Sequence, residues 1–106
     1  MRRVVVVDGE EKRGLELLGH RLRRARLKRN LSQEDMADRA GVTRKTYLAL
    51  EAGETTSSLA LLARALTILG YGDRLADLLA SDPIGDDTDE ISGRRRAGRR
   101  DNVADF

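Results

Sequence analysis

The stretch at residues 32–53 constrains this chain more than any other. It reads Ser-Gln-Glu-Asp-Met-Ala-Asp-Arg-Ala-Gly-Val-Thr-Arg-Lys-Thr-Tyr-Leu-Ala-Leu-Glu-Ala-Gly. Two short helical patterns flank Gly41. Ser32 is placed to cap the first, with Glu34 and Asp35 in its opening turn, where the helix dipole favours negative charge. Thr43 is placed to cap the second. Met36, Ala37 and Ala40 mark one apolar face of the first helix, and Tyr47 and Leu50 one face of the second. Val42 lies in the connector, where burial of its side chain would pin the two helices at a fixed angle. Gly53 supplies the left-handed stop.

Two helices joined by a tight glycine turn form a helix-turn-helix, whose second helix enters the DNA major groove. The stretch resembles the Cro/C1-type (XRE) helix-turn-helix family, whose pattern runs Leu-Ser-Gln-x-x-Leu-Ala-x-x-x-Gly-Val-Ser-x-x-Thr-Ile-x-x-Leu-Glu-x-Gly. Leu31, Ser32, Gln33, Met36, Ala37, Gly41, Val42, Thr43, Thr46, Leu50, Glu51 and Gly53 fall in register. The resemblance spans residues 18–69 and implies an all-α, five-helix, lambda-repressor-like DNA-binding domain. It also implies that Arg26 and Glu51 pair as a structural brace, and that Gln33 bridges a phosphate and a base.

Composition closes off other classes. A chain of 106 residues points to one small domain. With no cysteine there is no disulfide framework and no thiolate metal site. No apolar run approaches the roughly 20 residues of a membrane span, and the four valines near the start are too few for a signal-peptide core. His20, the one histidine, cannot build a metal site alone. No catalytic constellation or phosphate-binding glycine loop is visible, so a non-enzymatic binder without cofactor or metal is expected, in the cytoplasm at the nucleoid.

Three regions follow: a strand or arm at residues 1–9, a helix-turn-helix domain at 10–81 and a disordered charged tail at 82–106. The valine run favours a short N-terminal strand. A lone strand pairs with its copy in a dimer, pairs with another protein's edge, or stays disordered. Helix one is expected at residues 15–29, with Leu18, Leu22 and Ala25 inward and a crowd of arginines outward, Arg24 among them as a phosphate contact. Asn30 suits the left-handed stop at its end. Helix four is expected at 58–69 with Leu59, Leu62, Leu66 and Leu69 as its inner stripe, widened by Leu61, Ala65 and Ile68. Helix five is expected at 74–80.

The recognition helix is expected at residues 44–52. Its opening turn gathers Thr43, Arg44, Lys45 and Thr46, and with Ser32, Gln33 and Arg24 these form the candidate DNA contacts. Arg44 carries the planar fork that matches guanine O6 and N7, whereas Lys45 suits a phosphate. Leu48 and Ala49 stand where the family often has polar or basic residues. They either meet thymine methyls or leave specificity to the remaining contacts and to DNA shape. Tyr47 replaces the usual aliphatic residue, and its ring is expected in the core with the hydroxyl at the surface or on a phosphate.

The tail sets an acidic block (Asp86, Asp87, Asp89, Glu90) before a basic one (Arg94, Arg95, Arg96, Arg99, Arg100). It reads as a solubilising tail, an arginine arm for DNA, or a segment that folds on a partner. Surplus leucines on helices four and five point to a homodimer or a partner protein. Two functions remain. One is a stand-alone dimeric repressor that reads a pseudopalindromic operator in double-stranded DNA. The other is an antitoxin that represses its own operon and binds a toxin, in outline similar to the HipB group of this family and hence with a HipA-like kinase as partner. That group's interface strand is C-terminal, whereas the valine run here is N-terminal.

Overall fold

The computed structural model describes residues 5–87. The chain divides between Leu75 and Ala76 into two units. The first holds four α-helices: α1 (Gly9–Lys28), α2 (Gln33–Ala40), α3 (Arg44–Glu51) and α4 (Leu59–Leu69). No strand occurs among the described residues.

Short polar side chains start three of these helices. Ser32, Thr43 and Ser58 each accept a hydrogen bond from the backbone N–H three residues on, at Asp35, Thr46 and Leu61. Asp35 completes a capping box by accepting the Ser32 N–H at 2.8 Å. All four helices stop alike. Asn30, Gly41, Gly53 and Gly70 take positive φ, and the next N–H reaches back to the carbonyl five residues earlier, at 3.2, 3.0, 3.0 and 2.7 Å.

The core is Leu22 of α1, Met36 and Ala37 of α2, Tyr47 and Leu50 of α3, and Leu61, Ala65 and Leu69 of α4. α2 packs on α3 and α4, and α1 lies against α3. Leu18, Ala25, Ala40 and Val42 fill its margins. Each leucine buried here contributes about 1.5–3 kcal/mol.

Two glycines set the closeness of α1 to α3. A methyl group at Gly19 would run into the Glu51 carbonyl oxygen and lie 3.1 Å from the Leu50 carbonyl oxygen. One at Gly53 would stand 2.7 Å from the Leu15 carbonyl oxygen, and Gly53 also has φ +74°. The backbones therefore meet without intervening side chains.

Four expectations need correction. Residues 5–7 form no strand; with no partner edge among the described residues, they run as an arm with Val5 and Val6 exposed. α1 begins at Gly9, six residues before the expected start, because Glu10 and Glu11 suit a first helical turn and strong helix formers follow. The inner stripe of α4 is Leu61, Ala65 and Leu69, while Leu59 is 68% exposed. A helix apolar nearly all round does not choose its own buried face; contact with α2 and α3 does. The fifth helix is a single 3-10 turn, Arg74–Asp77. Leu78 and Leu79 are exposed, so no buried face rewards the cost of a longer helix.

In the second unit, residues 83–87 are helical, and Asp82 caps them through the Gly85 N–H at 2.9 Å. The expected disordered tail from residue 82 thus opens with a helical turn. Its remainder, including Asp89, Glu90 and the arginine block, lies outside the described residues. No helix among the described residues is long and apolar enough to cross a membrane.

Candidate nucleic-acid interface

A buried charge network holds α3 in place. Arg26 is 5% exposed. Its Nε donates to Glu51 Oε2 at 2.6 Å and its Nη2 to Oε1 at 3.1 Å, the two-point geometry that suits guanidinium and carboxylate. Its Nη1 donates to the Leu31 carbonyl at 2.9 Å, tying down the link between α1 and α2. The Tyr47 hydroxyl donates to Glu51 Oε2 at 2.6 Å, and Gln33 Nε2 donates to Oε1 at 3.4 Å. One carboxylate thus collects α1, the start of α2 and α3 itself.

Tyr47 meets the expectation for its ring and departs from it for its hydroxyl. Its ring is wholly buried, and its hydroxyl turns to Glu51 instead of the surface. A buried phenol needs a partner, and the carboxylate one helical turn on is the nearest strong acceptor.

The network shifts the acidities of its members. Burial alone would raise the Glu51 pKa, but the hydrogen bonds from Arg26, Tyr47 and Gln33 together hold it below the usual carboxylate range. The bond to Glu51 raises that of Arg26, and burial, then the Glu51 bond, pushes Tyr47 up. The Ser32 N–H and hydroxyl lower Asp35. A carboxylate depressed in the folded state adds stability that is complete above its unfolded pKa of about 4.3 and lost as pH falls through the lower folded value. The melting temperature is therefore expected to hold near neutrality and to drop below about pH 4, with Glu51→Gln flattening that drop. Equal acid slopes in the two proteins would contradict the assignment.

Outside this network lies a basic surface. Arg44, Lys45, Thr46 and Leu48 are exposed on α3, with Thr43 at its cap. The hydroxyls of Thr43 and Thr46 share a 3.0 Å hydrogen bond, so both are partly engaged in holding the helix start. Ser32 likewise spends its hydroxyl and its N–H on Asp35. Ser32, Gln33 and Arg44 line one open cleft with Arg23, Arg26 and Glu34.

Arg24 is exposed but does not line that cleft. Arg23, one of the outward arginines expected along that face but not singled out, does. Its signal lay in the spacing: Arg23 stands three residues before Arg26 and shares its helix face, whereas a neighbour two residues away points elsewhere.

A helix-turn-helix family model matches residues 22–74. The chain belongs to the Cro/C1-type helix-turn-helix family. The matched stretch covers α2 and α3 entire, together with the Arg26–Glu51 network and the cleft. The chain is also similar to a protein of Methanothermobacter thermautotrophicus described as an uncharacterized HTH-type transcriptional regulator. The two are 39% identical over 64 residues, 60% of this chain and 91% of the relative. No solved structure matches the chain.

Proposed function

We propose that this protein is a transcriptional regulator that binds a specific double-stranded operator as a homodimer. The observation that carries this reading is the cleft shared by Arg23, Gln33 and Arg44, with the exposed start of α3 beside it. Arg44 reads a base edge, and Arg23 and Lys45 hold phosphates. Two such helices about 34 Å apart would read a pseudopalindrome.

Selection from random duplexes should return one symmetric sequence; a pool with no enriched sequence would defeat the reading. On the selected site, Arg44→Ala should cost about 1–3 kcal/mol and relax preference at one base pair. Arg23→Ala should weaken specific and non-specific binding alike and lower the salt slope by about 1, with Arg24→Ala showing the smaller effect. If both arginine variants match the parent, the groove assignment is wrong.

A second reading adds a protein partner: an antitoxin that represses its own operon and sequesters a toxin such as a HipA-like kinase. An apolar cleft favours it. Val5, Val7, Leu15, Leu18, Leu59 and Leu62 are among its lining residues. Ser57 lies on its wall, with a buried hydroxyl that has no hydrogen-bond partner among the described residues. A partner retained after nuclease by the parent and lost by Leu59→Glu, which should still bind DNA, supports this reading. A parent that retains none is a stand-alone repressor. Sedimentation tells whether the same substitution breaks the homodimer.

A further inference from the structure

The segment ahead of α1 holds an open backbone edge and an unclaimed carboxylate. Residues 5–7 make no backbone hydrogen bond among the described residues. Val5 is 75% exposed and Val6 83%. Val5 and Val7 line the apolar cleft together with Leu15, Leu18, Leu59 and Leu62, whereas Val6 does not. That is the alternation of an extended chain, with one face on the cleft and the other turned away. Asp8 prolongs it, at φ −151° and ψ 179°. Aspartate ranks among the best residues for capping a helix start. Yet the Asp8 side chain makes no cap bond to α1, unlike those of Ser32, Thr43 and Ser58 on their helices. Nor does its carboxylate have an ion-pair partner among the described residues.

We propose that residues 2–8 pair antiparallel with residues 2–8 of a second copy, as a two-stranded ribbon whose cleft-side face carries Val5 and Val7. The ribbon rests on the homodimer reading above and names its interface. An open edge of β-branched residues accepts a strand of like composition, and a run of four valines offers that to itself. Symmetry restricts the register. The two-fold axis of an antiparallel pair stands perpendicular to the ribbon, so one residue must face its own copy. Centred on Val5, the register sets Val4 opposite Val6, Arg3 opposite Val7 and Arg2 opposite Asp8, the last at both ends. Centred on Val6, it sets Asp8 against Val4, and centred on Val4 it carries Asp8 past Arg2. Only the register on Val5 gives the Asp8 carboxylate an arginine, and cross-strand pairs of opposite charge are stabilising. A two-stranded ribbon holds only with a packed face, and Val5 and Val7 already lie on the cleft. Residues 2–4 precede the described residues and take their places here from the sequence register alone.

The chain has no cysteine, so single cysteines report the register in full-length protein. Val5→Cys, facing its own copy, should oxidise to a disulfide-linked dimer about 10-fold faster than Val6→Cys, whose opposite position is Val4. Equal rates, or a faster Val6→Cys, overturn the proposal. Asp8→Lys and Arg2→Glu should each weaken the dimer by about 3- to 10-fold in sedimentation equilibrium. The two together should restore it, because the pair is then reversed and not removed. Losses that add in the double variant overturn the ion pair and the register with it. Circular dichroism checks that α1 forms in each variant.

Deletion of residues 1–8 separates the ribbon from the homodimer as such. The deletion should weaken self-association. A dimer constant left unchanged overturns the ribbon and leaves the homodimer standing. A parent that sediments as a monomer at every concentration overturns both. A partner protein that the deletion releases, with no self-linked dimer from Val5→Cys, would assign the arm to that protein and overturn the pairing of copies. None of these measurements uses DNA, so operator selection succeeds or fails independently of them.

Discussion

Arg26→Ala is expected to destabilise the domain by about 3–5 kcal/mol. The cost comes less from the lost attraction than from what stays behind. Glu51, whose side chain is 4% exposed in the intact fold, keeps the Tyr47 and Gln33 bonds but loses its charged partner. The Leu31 carbonyl loses its donor at the entry to α2. For a domain of this size each kcal/mol moves the melting temperature by about 4–8 °C, so the shift should exceed 10 °C. Arg26→Lys should recover only part, because an ammonium cannot span both carboxylate oxygens and the carbonyl together. Replacing both partners, as in Arg26→Met with Glu51→Leu, should recover much of the loss, since no buried charge is left unpaired. Thermal melts of the four proteins check this. A loss under about 1 kcal/mol in Arg26→Ala would mean that the pair does not brace α1 to α3.

Gly19→Ala is expected to be the most damaging single methyl group that can be added to α1. Glycine within a helix ordinarily costs about 0.5–1 kcal/mol relative to alanine, so the substitution would usually stabilise. Here the new methyl meets backbone, the carbonyls of Glu51 and Leu50, and backbone cannot swing aside as a side chain does. Separating α1 from α3 would also lengthen the Arg26–Glu51 contact, so packing and charge fail together. Overpacking of this kind costs about 1–3 kcal/mol, and coupling to the brace adds to it. Gly14 is the internal control. It lies on the same helix with nothing within 4 Å of an added methyl, and Gly14→Ala should gain about 0.5–1 kcal/mol. Opposite signs for the two in chemical denaturation are the expected result; like signs would contradict the close approach.

Much of this architecture was legible because its signals are local. A serine or threonine accepting from the third N–H beyond it, and a glycine or asparagine able to take positive φ, act within one turn of chain. The starts and stops around Ser32, Asn30, Gly41, Thr43, Gly53, Ser58 and Gly70 therefore follow from the residues themselves. The helical face of Met36 and Ala37 and that of Tyr47 and Leu50 follow from spacing for the same reason. What was misread depends on partners far along the chain. α4 has apolar residues at almost every position, and only its neighbours choose Leu61 and Ala65 over Leu59. The valine run looks like a strand by propensity, but a strand exists only when an edge receives it. Helix five had an apolar pattern, but Leu78 and Leu79 within it are exposed.

The interface divides in the same way. Arg44, Lys45, Thr43 and Thr46 belong to the start of α3 by their position in the chain, and their exposure follows once Tyr47 and Leu50 turn inward. Arg23 joins the cleft through its spacing from Arg26, a relation that has meaning only once Arg26 is known to be buried. By itself, then, the sequence determined the helix boundaries from Ser32 to Gly70, the motif and the family. Tertiary structure alone decided that Tyr47 gives its hydroxyl to Glu51, that Gly19 admits the α3 backbone, and that Arg23 rather than Arg24 stands beside Gln33 and Arg44. The reason is range. Caps and turns are settled by atoms a few residues apart, whereas the Arg26 bond to Glu51 spans 25 residues, and the Tyr47 hydroxyl, one helical turn from Glu51, is committed to it only by the burial that this long-range packing creates.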